Sequence, residues 1–369
     1  MPEWDAAERE AYLTLALAPG IGSARFRELL QRFETPSGVL AASLAALRSV
    51  PGIFEPVARA VRAAERSAGR RALAAVAAEG GVLLLPGEPG FPAALLEIPE
   101  PPTHLFLKGD TALLERPAVA IVGSRQHSEY GGEVCRALAQ AAAEAGLVVV
   151  SGMARGLDAV AHAGALAVGG GTIGVLGNGL GFVYPRANRL LYAEVAARGL
   201  LLTELPPGAP PHGGSFPQRN RLISGLARVT VVVEAAITSG ALQTATWAQA
   251  QGREVLVVPG PITSVSSAGT NRWLRDGAGP LLELDDLLYH YPELRRPAAP
   301  GIFSDGTGTP LERRIVQALQ REPLPTERLV EASGAPVETA LDTLSALELS
   351  GKVRRDGEGR YRLAVGLFG

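Results

Sequence analysis

The stretch "VAIVGSR" at residues 119–125 joins a short apolar run to a glycine, a serine and an arginine, which is typical of a buried strand leading into a loop. Five similar runs follow, separated by helical patterns. They are "LVVVSG" (147–152), "GTIGVLG" (171–177), "LLLTE" (200–204), "VTVVVEA" (229–235) and "EVLVVPG" (254–260). None alternates strictly, as expected of strands buried on both faces. The sequence predicts an α/β domain with a doubly wound parallel sheet, which "GGVLLLP" (80–86) and "HLFLKGD" (104–110) extend at an edge.

The predicted α/β domain spans residues 80–290, and helical patterns alone fill residues 1–75. Two turns rich in proline and glycine, "PGIG" (19–22) and "PGIF" (51–54), separate helices in this first region, as in a pair of helix-hairpin-helix units. Such a turn opens a helix N-terminus that can receive a phosphate. The second turn has Phe54 where a second glycine would stand. DNA contact and a packing or assembly role are both open for this region.

The C-terminal region consists of a linker at 295–310 and a small domain at 311–369. Three short helical patterns and a hairpin turning at Asp356 and Gly357 predict a winged helix. Its third helix carries Glu338, Asp342 and Glu348 and no lysine or arginine, so it is poorly suited to a duplex groove. We therefore expect a protein-contact or regulatory role. The basic wing, with Lys352, Arg354, Arg355 and Arg360, is the weaker DNA candidate.

Composition excludes a general attraction to polyanions. The 369 residues carry a formal net charge of -2, so binding to nucleic acid requires a local basic patch. The single cysteine, Cys135, falls on the apolar side of a helical pattern and is predicted to pack in the core. No disulfide within the chain can form, which fits a reducing cytosol. The charged start and the strand-length apolar runs predict no signal peptide and no membrane span, hence a cytoplasmic protein.

Familiar cofactor and catalytic motifs are missing from the sequence. "GSRQHSEYGG" (123–132) has the wrong glycine spacing for a dinucleotide, and no Gly-Lys-Ser or Gly-Lys-Thr marks a P-loop. The five histidines are scattered and match no metal site, so we expect no cofactor and no metal. Asp158 and His162 lie one helical turn apart after Ser151, which allows a hydrolase triad, although a structural hydrogen-bonded pair is the favoured interpretation.

A basic segment gives the stronger indication of function. No acidic residue occurs from Leu205 to Val233, while Arg219, Arg221 and Arg228 lie within that range. Arginines beside glycine-rich turns suit phosphate oxygens, and Phe216 adds a flat ring of the kind on which single-stranded nucleic acid stacks. In the alternative interpretation Phe216 fills the core and the arginines pair with acids at the strand ends.

The sequence resembles the DNA-processing protein A family, also called DprA or Smf. The matching stretches include "VAIVGSR" (119–125), "SGMARGLDAVAHAGAL" (151–166), "VLGNGLGFVYPRANRLL" (175–191), "FPQRNRLISGLA" (216–227), "SGALQTATWAQAQGREVLVVPG" (239–260) and "GTNRWLRDGA" (269–278). The resemblance implies a Rossmann-like domain that binds incoming single-stranded DNA in natural transformation, protects it and helps to load the RecA recombinase. It also implies a SAM-like N-terminal domain at residues 1–75, a homodimer and no enzymatic activity.

The resemblance implies a DNA site at the C-terminal rim of the sheet. Arg125, Arg219 and Arg221 would grip phosphates and Phe216 would lie near a base. The pocket would be shaped through backbone and short polar contacts by Gly123, Ser124, Ser151, Gly152, Asn220, Ser239 and Gly240. The chain departs from the family at His212, where many members carry lysine or arginine. Either His212 becomes charged on binding or another arginine, such as Arg186, substitutes for it.

A second class of function competes with this one. A Rossmann-like domain with glycine loops and arginines is also found in nucleoside monophosphate phosphoribohydrolases. Those enzymes carry Pro-Gly-Gly-x-Gly-Thr followed by a catalytic glutamate, whereas this chain has "VPGPITSVSSAGT" (258–270). The missing signature makes the enzyme the less favoured alternative.

Overall fold

Six helices open the chain in the computed structural model, which describes residues 5–65, 67–294, 309–319, 322–356 and 359–363. They are α1 (Ala6–Ala16), α2 (Ser23–Phe33), α3 (Pro36–Ala41), α4 (Leu44–Arg48), α5 (Glu55–Ala63) and α6 (Ala68–Ala78). Their apolar sides meet around Tyr12 and Phe26, whose ring centroids are 4.6 Å apart. The same core contains Phe106 and Leu201 of the sheet, so these helices cover part of one sheet face. The domain boundary near residue 75 stays a prediction.

Within the residues that the structure describes, nine strands form one sheet. They are β1 (Val82–Leu84), β2 (Leu105–Gly109), β3 (Ala118–Val122), β4 (Val148–Ser151), β5 (Thr172–Val175), β6 (Leu200–Thr203), β7 (Val229–Val232), β8 (Glu254–Val257) and β9 (Gly279–Pro280). The spatial order is β1-β2-β6-β5-β4-β3-β7-β8-β9. The seven strands from β6 to β9 in this spatial order pair in parallel. In contrast, β2 pairs antiparallel with β6, and β1 pairs antiparallel with β2. The predicted parallel sheet and its extension at one edge are confirmed.

Helices cover both faces of this sheet because its strands are apolar on both sides. They are α7 (Ala93–Leu96), α8 (Glu129–Glu144), α9 (Leu157–Ala167), α10 (Arg189–Arg198), α11 (Ser215–Gly225), α12 (Ala241–Ala250), α13 (Ala268–Arg275) and α14 (Leu284–Leu288). Within β3, Val119 and Ile121 pack in the core formed with α8 and α9, while Ala120 packs in the core formed with α11 and α12. This two-sided burial accounts for the absence of alternation in the sequence.

The strand order reverses at β3. From β3 the chain adds β4, β5 and β6 on one side, then crosses back to add β7 and β8 on the other. In open α/β sheets the crevice at such a reversal, outside the C-terminal ends of the strands, is the usual ligand site. The loops that follow β3, β4 and β7 meet at this place.

A winged helix forms the described part of the C-terminal region. Its elements are α15 (Pro310–Leu319), α16 (Thr326–Ser333), α17 (Val337–Leu349), β10 (Val353–Arg355) and β11 (Tyr361–Leu363). Ile315, Leu329, Leu344 and Tyr361 are almost fully buried in its core, and β10 pairs antiparallel with β11. The predicted three helices and hairpin are confirmed. Residues 295–308 of the predicted linker and Gly357 of the predicted turn lie outside the described residues.

The cysteine has the predicted structural position. Cys135 is fully buried on α8, and its thiol donates to the carbonyl of Leu157 at 3.3 Å. Burial raises the pKa of this thiol above its ordinary value. Packing in the core, and not reactivity, is therefore its role. Within the residues that the structure describes, no helix is both long and apolar enough to cross a bilayer.

Candidate nucleic-acid interface

A cavity of about 730 Å³ opens where the strand order reverses. It is bounded by the loops after β3, β4, β5 and β7 and by the first turns of α11 and α12. Its lining includes Gly123, Ser124, Arg125, Gly152, Phe216, Arg219, Asn220, Ser239 and Gly240. The fold thus brings these nine predicted residues together, although they come from four separate segments of sequence.

Four predicted residues are not part of this lining. Ser151 is fully buried and donates to the carbonyl of Ile121 at 2.7 Å. Arg186 and His212 are exposed outside the cavity. Arg221 forms an ion pair with Glu204, with Nη2 and Oε1 2.7 Å apart. This pairing corresponds to the structural alternative for Arg221, because the guanidinium is held at a strand end away from the cavity.

Glu234 fixes the loop that carries Arg125. This glutamate, at the end of β7, is almost fully buried. Its carboxylate accepts hydrogen bonds from the backbone N–H of Ser128, at 3.0 Å, and from the Ser128 hydroxyl. Its carbonyl accepts from the N–H of Ser124 at 2.7 Å. Since both ends of the loop are held by one residue, the exposed side chain of Arg125 starts from a defined backbone position.

Two aromatic rings and an arginine form the rim of the cavity. The guanidinium carbon of Arg125 lies 6.0 Å from the centroid of the Phe216 ring, within the range of a cation–π contact. The ring of Tyr184 lies 5.5 Å from the same ring at an angle of 37°. A Cβ at Gly177 would meet the Phe216 ring at 2.6 Å, so glycine is required for the ring to lie this close to the backbone.

Arg219 lies at the floor of the cavity. Its Nη1 donates to the carbonyls of Gly152 and Val175, and its Nε donates to Asn220 Oδ1 at 3.3 Å. Burial lowers the pKa of this guanidinium to about 10, although the charge of Asp158 raises it. Arg219 therefore stays charged at pH 7. A Cβ at Gly152 would meet the Arg219 guanidinium at 2.8 Å, which explains the glycine.

Burial raises the pKa of Asp158, and Arg219 opposes that effect. This mutual influence makes the carboxylate a partner of the cavity arginine. The expected pairing of Asp158 with His162 is wrong: His162 is fully buried, and its Nδ1 contacts the Thr172 hydroxyl at 2.7 Å. Because that hydroxyl donates to the carbonyl of Val149, it accepts from Nδ1. Since His162 contacts the Thr172 hydroxyl and Ser151 donates to the carbonyl of Ile121, the two side chains do not form a triad.

Sequence reasoning missed several lining residues. The exposed Arg155 follows β4, Tyr184 precedes the short turn at 186–188, and Gln126 and Gln243 add amide groups. Arg155 and Tyr184 lie inside the stretches "SGMARG" (151–156) and "FVYPRAN" (182–188), whose glycines and Arg186 drew attention instead. Asn188 links these two stretches, since its amide donates to the carbonyls of Met153 and Ala154 at 3.0 Å.

The lining is basic, with three arginines and Asp158 as its acid. Asp158 is buried beside Arg219, so Arg125 and Arg155 provide the exposed charge. Arg228, in the predicted acid-free segment, instead borders a smaller cavity of about 470 Å³ at the N-terminal ends of β3, β7 and β8. There it pairs with Glu293 at 2.9 Å. The cavity therefore receives positive charge from fewer arginines of the segment Leu205 to Val233 than the sequence suggested.

Fold and site define a Rossmann-like α/β protein with a basic, aromatic-rimmed cavity and an appended winged helix. A family model described as DNA recombination-mediator protein A matches residues 82–292, and one described as the DprA winged helix domain matches residues 296–359. Protein Smf from Synechocystis sp. is 30% identical over 393 residues, which cover 96% of this chain and 99% of that protein.

Solved structures agree with these matches. DNA processing protein A from Streptococcus pneumoniae is 31% identical, has a TM-score of 0.67, and is aligned over 76% of this chain and 97% of that chain. DNA processing protein A from Helicobacter pylori, whose structure concerns its single-stranded DNA binding mode, is 32% identical with a TM-score of 0.53, aligned over 58% of this chain and 96% of that chain. The chain belongs to the DNA-processing protein A (DprA/Smf) family, and the phosphoribohydrolase alternative is not favoured.

Proposed function

We propose that the protein binds single-stranded DNA in the cavity at the C-terminal rim of the sheet. The observation that carries this proposal is the position of Arg125 over the Phe216 ring, with Tyr184 on the same ring. Exposed guanidinium groups suit phosphates, and aromatic faces suit unpaired bases. The single-stranded DNA binding mode of the relative from Helicobacter pylori supports the same ligand.

Fluorescence anisotropy with a labelled single strand and a matched duplex, each at several salt concentrations, tests this proposal. We expect the single strand to bind more tightly. Its affinity should fall by about 0.7 log units per log unit of salt for each phosphate contact. Phe216→Ala should weaken binding by about 1–3 kcal/mol without changing that salt dependence. If Phe216→Ala binds as the wild type does, the stacking role is wrong.

The bound strand would be protected and passed to the RecA recombinase during transformation and recombination. A cavity that holds a strand without cutting it suits that role. The test is RecA filament formation on single strands already coated with a bacterial single-strand-binding protein. We expect the wild type to accelerate filament formation and Phe216→Ala to lose that effect in proportion to its lost affinity. Equal acceleration by both proteins would separate RecA loading from this cavity.

We further propose that the cavity is not catalytic. Ser151 and His162 are buried with structural partners, and the lining acid Asp158 is buried beside Arg219. A phosphoribohydrolase needs a carboxylate that reaches the sugar. Incubation of the protein with AMP and CMP, followed by chromatography for free adenine and cytosine, should detect no release. Release of either base that is lost in Asp158→Asn would support the enzyme instead.

We propose that the protein acts as a homodimer. Ile237, Ile262 and Val265 are 57%, 95% and 79% exposed, on the loops that follow the adjacent strands β7 and β8. Large exposed apolar side chains on the loops of neighbouring strands are typical of an interface. Sedimentation velocity should show a dimer for the wild type and a monomer for Ile262→Glu/Val265→Glu, while Leu349→Glu, at an exposed position of the winged helix, should remain dimeric.

A further inference from the structure

The wing docks on α8 through two arginines that share one buried carboxylate. Arg354 and Arg362 are register partners across β10 and β11, so their side chains lie side by side. Glu133, only 9% exposed, accepts from Arg362 Nη1 at 2.8 Å and forms an ion pair with Arg354. Arg362 Nη2 also donates to Glu129 at 3.0 Å. Two facing arginines repel each other, and the carboxylates of α8 offset that repulsion.

The contact between the wing and α8 leaves two hydrogen-bond donors without an acceptor. The Nε atoms of Arg354 and Arg362 are buried and have no hydrogen-bond partner. A buried donor without an acceptor destabilises the docked arrangement relative to one in which water or an anion accepts from it. Burial and the neighbouring Arg362 both lower the pKa of Arg354. The docked wing therefore holds arginines that another anion could bind with better geometry.

The docking position is adjacent to the cavity. Glu129 and Glu133 occupy the first turns of α8, and Gln126, three residues before Glu129, lines the cavity. A strand that leaves the cavity along this loop would reach α8 next. Phosphate groups and carboxylates compete for the same planar guanidinium donors.

We propose that the wing is a second phosphodiester-binding surface, which Glu129 and Glu133 keep closed until a nucleic-acid strand takes over Arg354 and Arg362. The wing and the cavity would then hold successive parts of one strand. The nature of the competing anion rests on the proposed function, whereas the closed wing itself does not. The acidic α17 has no part in this binding, in keeping with its charge.

The docking of the wing on Glu129 and Glu133 can be tested without DNA by small-angle scattering of the full chain. Salt weakens ion pairs, so the radius of gyration of the wild type should rise between low and high salt. Glu129→Gln/Glu133→Gln should already show the larger radius at low salt. Glu144→Gln, an exposed position at the other end of α8, is the control and should behave as the wild type. Equal radii of gyration for all three proteins at low salt would show that Glu129 and Glu133 do not hold the wing closed.

The binding step is tested by anisotropy with a short single strand that fills only the cavity and a longer one that extends beyond it. For the longer strand, Glu129→Gln/Glu133→Gln should bind more tightly than the wild type. Its salt dependence should be steeper by about 1.4 log units per log unit of salt, because two further phosphate contacts form at about 0.7 each. Binding of the short strand should not change.

Adding Arg354→Ala and Arg362→Ala to the double glutamine variant should return the longer strand to wild-type affinity. If the gain survives those changes, or if Glu144→Gln produces it equally, the wing is not the binding surface. A wild type that binds neither strand would instead overturn the proposed cavity function, so the two failures are distinguishable. Thermal unfolding of each variant confirms that it is folded.

Discussion

The rings of Tyr184 and Phe216 lie 5.5 Å apart, centroid to centroid, and are inclined by 37°. Phe216 is half-buried at the start of α11, while Tyr184 is 46% exposed on the loop after β5. A base that stacks on Phe216 therefore meets Tyr184 as well. We expect Tyr184→Ala to weaken single-strand binding by about 1–3 kcal/mol without changing its salt dependence, as measured by anisotropy.

Two variants make this prediction specific. Tyr184→Phe keeps the ring and should bind as the wild type does. Tyr289→Ala removes a tyrosine that is 75% exposed at the end of α14, so it should leave affinity unchanged. If Tyr184→Phe lost as much affinity as Tyr184→Ala, the hydroxyl and not the ring would be responsible.

Arg125 and Arg155 are the exposed cations of the cavity lining and should each contact a phosphate. Changing either one to glutamine should reduce the slope of log affinity against log salt by about 0.7. Arg59→Gln, on α5 and paired with Glu55, is a control that should preserve the slope. A slope that stays at the wild-type value in Arg155→Gln would remove Arg155 from the set of phosphate ligands.

Arg221 should contribute to stability more than to DNA binding. Its ion pair with Glu204 is largely buried, with side-chain exposures of 10% and 24%. Arg221→Gln should lower the free energy of unfolding by about 1–3 kcal/mol, because Glu204 loses its cation in a place with little water. Chemical denaturation measures this loss. At temperatures where the variant is folded, anisotropy should give the wild-type salt slope; a smaller slope would instead assign Arg221 to the phosphate grip.

The sheet could be predicted because its strands are apolar on both faces, which is a local property of the sequence. Arg125 and Ser239 could likewise be assigned to the site, since each lies in the loop that follows a central strand. Arg221 could not be separated from Arg219 in this way. The two are only two positions apart on α11 and therefore lie on nearly opposite sides of the helix, so one lines the cavity and the other reaches Glu204. Spacing alone does not show which partner a long side chain finds.

Tyr184 and the wing contact were inaccessible to sequence reasoning for a related reason. Tyr184 reaches Phe216 only because the chain between β5 and α10 folds back over the loop after β4, where Asn188 holds it. Glu133 and Arg362 are separated by 229 positions, and no local pattern joins them. Such contacts depend on tertiary packing between elements that are far apart in the chain.

Arg219 connects three elements of the cavity floor, so its removal should affect the whole site. Arg219→Gln would leave the carbonyls of Gly152 and Val175 without a charged donor and would leave Asp158 buried without its cationic neighbour. We expect a loss of about 3–5 kcal/mol in the free energy of unfolding, as for a broken buried charge pair. Asp158→Asn in the same background should recover part of that loss. No recovery would mean that the carbonyl contacts dominate.

His162 should make the protein less stable in acid. Burial, with a smaller effect of Arg219, lowers the pKa of this histidine to about 3, whereas the unfolded chain has a value of about 6.5. Between those two values the unfolded state binds one more proton, so the free energy of unfolding falls as the pH falls. The contribution is fully present above pH ~6.5 and is reduced by about 2 kcal/mol at pH 5.

Urea denaturation at pH 7.5, 6 and 5 should therefore show a shallower pH dependence for His162→Asn than for the wild type. His212→Asn, at an exposed position, should keep the wild-type dependence. His104 is also buried with a lowered pKa and remains in both variants, so part of the acid sensitivity should persist. Parallel curves for His162→Asn and the wild type would show that His162 is not the group that titrates.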